Sequence, residues 1–292
     1  MEALSILAYP FFACLLLILI HAYFGIHILE RGVIFLDLSL AQFIAVGIAL
    51  SFLLGDDASS RLFFALLFAL LGAFILSFSR QIACWVNIEA FIGVLYVFSL
   101  AASILILDRS PHGAEEFKTL LNGNILWILP KDLLKTAFLY AGIGIFQFLF
   151  RKKFIGLSLG TEKGYLWEFL FFLSFALVLV SSVQVAGILQ VFSFLVIPAL
   201  IGKLYTRNFF KTLLAGWGIG FLASIFGLIL SYYLDLPTAP LIVASLSLGF
   251  FSLLGARMLR APRVNPEDCD PAGGRPGERK ISGHISKTGE NS

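Results

Sequence analysis

Charge is what this chain has least of. Lys, Arg, Asp and Glu together make up 13% of its 292 residues, against about 25% in an ordinary soluble domain. Hydrophobic residues account for 59% and the mean hydropathy is +0.93. A core of this size cannot hide that much apolar surface, so lipid must solvate part of it. The scarcity of charge excludes a soluble main body, and a net charge of only +3 leaves no electrostatic footprint for nucleic acid.

Other absences narrow the chemistry. The three cysteines, Cys14, Cys84 and Cys269, show no CxxC or CxxH spacing, so Cys14 and Cys84 read as small apolar helix residues. No GxxxxGK[ST] phosphate loop occurs, so nucleotide is not bound in the P-loop manner. HExxH does not appear, and the one GxSxG string, GLSLG at 156–160, stands in a basic link between two spans rather than on a strand-to-helix turn, which weakens a membrane-embedded enzyme. Runs of buried acids of the proton-pump kind and an internal repeat are also missing. The N-terminal stretch MEALSILAYPFFACLLLILI lacks a basic n-region and a small-residue cleavage site, and is expected to be a retained first span.

What is present is a succession of apolar segments of spanning length. A span needs about 20 predominantly apolar residues. Candidates lie near 5–28, 33–55, 61–80, 88–107, 132–150, 165–184, 187–204, 212–233 and 239–258, some merging with their neighbours. The expected fold is therefore an all-α polytopic transmembrane bundle of eight or nine spans, covering residues 1–260. Asp108 to Lys131 is too polar to cross and reads as an extramembrane loop with a short amphipathic helix. With nine spans and the N-terminus outside, the inner side carries Arg31, Arg80, the group Arg151, Lys152, Lys153 and Lys163, then Lys203, Arg207, Lys211, Arg257, Arg260 and Arg263. The outer side carries Arg61, Arg109, Lys118, Lys131 and Lys135. This asymmetry satisfies the positive-inside rule. From Ala261 the composition turns to Pro, Gly and charge, as expected of a disordered cytoplasmic tail over 261–292.

Polar groups inside a span are costly unless paired or hydrated, so each is a functional candidate. Asp37 and Gln42 lie in RGVIFLDLSLAQFIAVGIAL, about 140° apart on a helix; a polar pathway and inter-helix hydrogen bonding are both open readings. Glu89 opens the span NIEAFIGVLYVFSLAASIL, in the pathway or as an acid favoured by the helix dipole. Gln184 and Gln190 flank the link between two spans and suit hydrogen-bonding between helices. His21 and His27, six apart, lack the i,i+3 or i,i+4 spacing of a metal pair. Asp108, His112, Glu115 and Glu116 form the densest group of potential ligands, either an outer-mouth cation trap or a solvated loop.

Between two spans lies RKKFIGLSLGTEKG, about 151–164, basic and punctuated by glycine, with Phe154, Ile155, Leu157 and Leu159 interleaved. Such a stripe fits a groove on a soluble partner; it equally fits an interfacial helix meeting anionic headgroups.

Three segments taken together resemble a known family. RGVIFLDLSLAQFIAVGIAL, EAFIGVLYVFSLAASILILDRSPHGAEEFKTLLNGNIL and VQVAGILQVFSFLVIPALIGKL are similar, in order over roughly 10–258, to the membrane permease of metal-type ABC importers, the ABC-3 family of zinc, manganese and iron uptake systems. The most specific block is VAGILQVFSFLVIPAL. GLSLGTEKG sits where that family has its coupling segment, which would place ATPase contacts at Phe154, Ile155, Gly156, Leu157 and Gly160.

The resemblance implies a transport subunit rather than an enzyme, moving a divalent metal, with zinc expected first and manganese or iron as alternatives, through the bacterial inner membrane. It implies a homodimer embedded in membrane lipids, a separate cytoplasmic ABC ATPase holding the ATP, and a periplasmic or lipid-anchored metal-binding protein. No cofactor is expected on the chain itself, and no nucleic acid. One departure stands out. The family's GDALSHA pattern pairs Asp and His four apart, and those positions are Leu38 and Gln42 here, with Asp37 in place of the glycine. An amide is a weak ligand for zinc. The alternative to an importer permease is a stand-alone secondary transporter or channel for a small ion, which would show half-helices around a midplane charge.

Overall fold

The computed structural model describes residues 2–54, 58–110, 112–123, 125–206 and 208–260; the tail expected over 261–292 lies outside them. The described residues form eleven α-helices and one 3-10 turn. These are α1 (Glu2–Arg31), α2 (Leu36–Leu54), α3 (Ala58–Ser77), α4 (Ser79–Ile82), α5 (Ile88–Leu107), α6 (Gly113–Asn122), α7 (Pro130–Leu149), α8 (Arg151–Ser158), α9 (Tyr165–Tyr205), α10 (Phe209–Leu234) and α11 (Thr238–Arg260). The all-helical expectation holds. In lipid every backbone polar group must be satisfied within its own segment, and a helix does that.

Local sequence explains many of the ends. Asn87 caps α5, its side chain accepting from the Ala90 amide at 3.0 Å. Asn208 caps α10 in the same way, accepting from the amides of Phe210 and Lys211. Pro130 starts α7, where its missing N–H is no loss. Asp235, in the left-handed region at φ 52°, stops α10.

Among the described residues eight helices are long and apolar enough to cross a membrane. One of them, α9, has 41 residues, about 60 Å if straight and twice the hydrocarbon thickness. It is not straight. Gly187 sits at φ 75°, ψ 164°, and α9 folds back there. Glu168 near its start pairs with Arg31, and Lys203 near its end pairs with Glu30, at 2.6 and 3.0 Å. Partners that are neighbours in α1 cannot reach both ends of an extended helix. Counting the folded α9 twice gives nine passes, as the two candidates at 165–184 and 187–204 anticipated.

The fold-back depends on glycine at two positions. Gly123, at φ 65° just past α6, rests on the backbone of Ala186 and Gly187. A Cβ on either glycine would collide with the other's backbone. The helix α6 is thereby pinned to the turn of α9 at Gly187.

The chain divides into a unit of residues 1–250 and a second that begins at Phe251, of which the last turns of α11 are described. In the first unit α1, α2 and α9 are enclosed while α3, α5, α7 and α10 expose broad apolar faces. Enclosure explains why α2 shows no amphipathic stripe: it is buried on nearly every side.

Candidate functional site: buried polar groups and the anchored inner helix

Because α2 is enclosed, Asp37 and Gln42 are both buried although they point in different directions. Neither carboxylate oxygen of Asp37 has a hydrogen-bond partner, nor do Ser39 Oγ and Gln42 Oε1. Deeper in the bundle, Gln190 Nε2 donates to Cys14 Sγ at 3.6 Å while its Oε1 stays unpartnered. His21 is oriented by a 2.8 Å bond between Nδ1 and the Leu17 carbonyl, which leaves Nε2 free. Buried polar atoms without partners are unfavourable. These unpartnered atoms lie on α1, α2 and the returning half of α9, and those on α2 are all oxygens.

The remaining pathway candidate, Glu89, lies in the first turn of α5 behind its cap Asn87. It lines an open depression of about 840 Å³ with Phe35, Ala90, Gly93 and Val97. At the other end, Asp108 terminates α5 and His112 precedes α6. His112 Nδ1 and Glu115 Oε2 are 4.0 Å apart and both are well exposed. Among the described residues no three His, Cys, Asp or Glu side chains converge on a point where a metal ion could sit.

The segment expected to face a partner becomes α8 and the turn after it. Here the structure redistributes the roles. Phe154 is fully buried, Leu157 nearly so, and Gly156 is enclosed. The Phe154 ring packs against Phe146, Trp167 and Phe171 at centroid distances of 5.7 to 5.9 Å. The apolar stripe is thus consumed by the chain's own bundle. Ile155 is half-buried, whereas Leu159 is 59% exposed. Gly160 is exposed at φ 74°, beside exposed Lys152, Lys153 and Thr161. The exposed residues of this segment are Arg151, Lys152, Lys153, Leu159, Gly160, Thr161 and Lys163.

What holds α8 is an ion cluster centred on Glu168, a residue the sequence reading passed over. Glu168 is 3% exposed. Its Oε2 lies 2.6 Å from Arg31 Nη1 and its Oε1 2.7 Å from Arg80 Nε. Arg31 stacks over Phe171, 4.1 Å from the ring centroid, and its Nε donates to Ser158 Oγ at 3.2 Å. The same hydroxyl lies 2.8 Å from His27 Nδ1. Arg80 donates from Nη2 to the Leu157 carbonyl at 2.6 Å and from Nη1 to the Glu162 carbonyl at 3.2 Å. Lys153 pairs with Glu162 at 3.0 Å. Four elements, α1, α4, α8 and α9, are tied at one carboxylate. The signal was there: Glu168 is a lone acid at the start of an apolar run whose inner end faces basic residues.

The ABC 3 transport family profile matches residues 4–256. The chain belongs to the ABC 3 transport family. As a member of that family it is a multi-pass membrane transport component. Among its relatives, the manganese import system permease protein ScaB of Streptococcus parasanguinis is 25% identical over 240 residues, 77% of this chain and 81% of the relative. A membrane protein of Chlamydia pneumoniae named for metal transport is 27% identical over 192 residues, spanning 63% of this chain and 64% of the relative's own length. Among solved structures, PsaBC from Streptococcus pneumoniae in complex with Fab superposes with a TM-score of 0.72 at 22% identity, covering 87% of this chain and 93% of that one. At that identity the likeness concerns the fold.

Proposed function

We propose that this ABC 3 family chain is the permease subunit of an ATP-driven importer for a divalent transition metal, working in a bacterial inner membrane. The observation that carries the reading is the family match over nearly the whole described chain. ATP would be held by a separate cytoplasmic ATPase, since the chain has no phosphate loop of its own. A second copy of the permease and a metal-binding protein on the outer side complete the proposed assembly.

The cargo follows from donor chemistry. Asp37, Ser39 and Gln42 offer a carboxylate, a hydroxyl and an amide oxygen on one enclosed helix, each with unused acceptor capacity. Oxygen donors suit manganese, whereas zinc prefers imidazole and thiolate. Manganese is accordingly the favoured cargo, with iron(II) next and zinc behind them. The absence of a closed cage among the described residues fits a metal that is passed along rather than stored.

For coupling, movement of the ATPase would reach the bundle through Leu159–Thr161, and the Glu168 cluster would carry it from α8 to α1, α4 and α9. The functional test is the content of manganese, iron, zinc, cobalt and nickel in cells with and without the chain. A selective fall in manganese or iron on deletion is expected. Unchanged content of all five metals would overturn the reading.

A further inference from the structure

The helices α7 and α10 both pack on α1 but leave a cleft between them. It has a volume of about 790 Å³ and is half open. Its walls are apolar: Ala141 and Gly144 on α7, Ile20 on α1, and Leu213 and Trp217 on α10. Trp217 is fixed across the floor, its indole N–H donating to the Leu19 carbonyl at 3.1 Å. The inner rim holds a single charged residue among the described lining residues, Arg151. Its guanidinium lies over the Phe148 ring, 4.8 Å from the centroid. Phe148 itself lines the cleft, so the stacking holds the cation at the mouth. No carboxylate among the described residues pairs with it.

We propose that this cleft is a binding site for one anionic glycerophospholipid of the inner leaflet, with an acyl chain between α7 and α10 and the headgroup phosphate at Arg151. The apolar cleft opens where a multi-pass protein meets hydrocarbon, so an acyl chain is its natural filling. The cleft's one charge is positive and sits at the basic end of the bundle, where headgroups of the cytoplasmic leaflet lie. A planar guanidinium without a protein counterion suits a phosphate oxygen pair. The apolar cleft and the unpaired cation at its inner end thus match the two parts of one lipid. The proposal rests on neither the metal nor the ATPase reading, although Arg151 and Ile155 of α8 both line the cleft.

Gly144 supplies the block. It lines the cleft and a Cβ there meets nothing within 4 Å, so a side chain can be introduced at this wall. The experiment is native mass spectrometry of the full chain released from nanodiscs of phosphatidylglycerol and phosphatidylcholine in equal parts. The wild-type chain should retain phosphatidylglycerol in preference to phosphatidylcholine. Arg151→Gln should reduce that preference about fivefold, the scale of one basic side chain near an anionic surface, and Arg151→Lys should restore part of it. Gly144→Phe should abolish retention of both lipids at the site. An unchanged lipid ratio in Arg151→Gln, or undiminished retention in Gly144→Phe, would overturn the proposal. So would ready disulfide formation between two Gly144→Cys copies, which would assign the cleft to a contact between chains.

Discussion

Glu168 Oε2 and Arg31 Nη1 meet at 2.6 Å at the inner end of the bundle, both nearly buried, and the rest of the α8 anchor is arranged around that contact. Removing one member of a buried pair leaves the other uncompensated, typically at about 3–5 kcal/mol. Glu168→Gln is expected to lower the thermal midpoint of the purified chain on that scale, with Arg80 partly screened by its greater exposure. The pairing should be visible in a double-mutant cycle. Arg31→Met with Glu168→Leu should recover stability relative to either single change, and simple additivity of the two losses would contradict it.

The anchor and the docking face make separable predictions. Phe154→Ala empties a fully buried aromatic site and should cost about 3–5 kcal/mol in stability, seen as a lowered melting temperature. Leu159→Ala removes an exposed side chain and should leave melting within about 0.5 kcal/mol of the parent. The Leu159 change, not a folding defect, should reduce ATPase stimulation in the reconstituted complex. Unchanged stimulation in Leu159→Ala would move the docking face elsewhere.

Asp37 is buried without a partner for either oxygen. Its replacement by Asn removes an unfavourable buried carboxylate, so stability should hold or rise. Metal accumulation should nevertheless fall severalfold if that carboxylate contacts the cargo. Uptake at the wild-type rate in Asp37→Asn, measured in cells with matched expression, would make Asp37 a packing residue.

The turn of α9 at Gly187 offers a stability test. Gly187→Ala places a Cβ against the backbone of Gly123 at a positive φ. At φ 75°, ψ 164° the backbone lies in a region essentially confined to glycine, costing about 1–3 kcal/mol for a residue with a Cβ, and the collision adds to it. A loss of at least about 2 kcal/mol is expected, with faster proteolysis around α6. Wild-type melting would mean that the two backbones are not in contact.

The parts legible in the sequence were those set by local composition. Apolar run lengths anticipated the spans, and separating the candidates at 165–184 and 187–204 anticipated the return of α9, because 41 apolar residues exceed one crossing. Asp37 and Gln42 were found because polarity inside a span is conspicuous. What periodicity could not supply was which face of α8 the bundle takes. The stripe of Phe154 and Leu157 is apolar whether it meets a partner or its own Trp167 and Phe171, so the choice is made by tertiary packing. Glu168 was missed for a related reason: its partners Arg31 and Arg80 are distant in sequence, and only the fold brings three charges to one point. Asp108, His112 and Glu115 show the converse, a cluster dense in sequence that remains spread over an exposed surface.

The most direct measurement is manganese uptake into proteoliposomes holding the chain with the proposed ATPase and the proposed metal-binding protein. Uptake should require ATP, and should fall severalfold in Asp37→Asn and Leu159→Ala while both variants assemble normally. Manganese entry that proceeds at full rate without ATP, or that is indifferent to both substitutions, would contradict an ATP-coupled permease that uses Asp37 for its cargo and Leu159 for its ATPase.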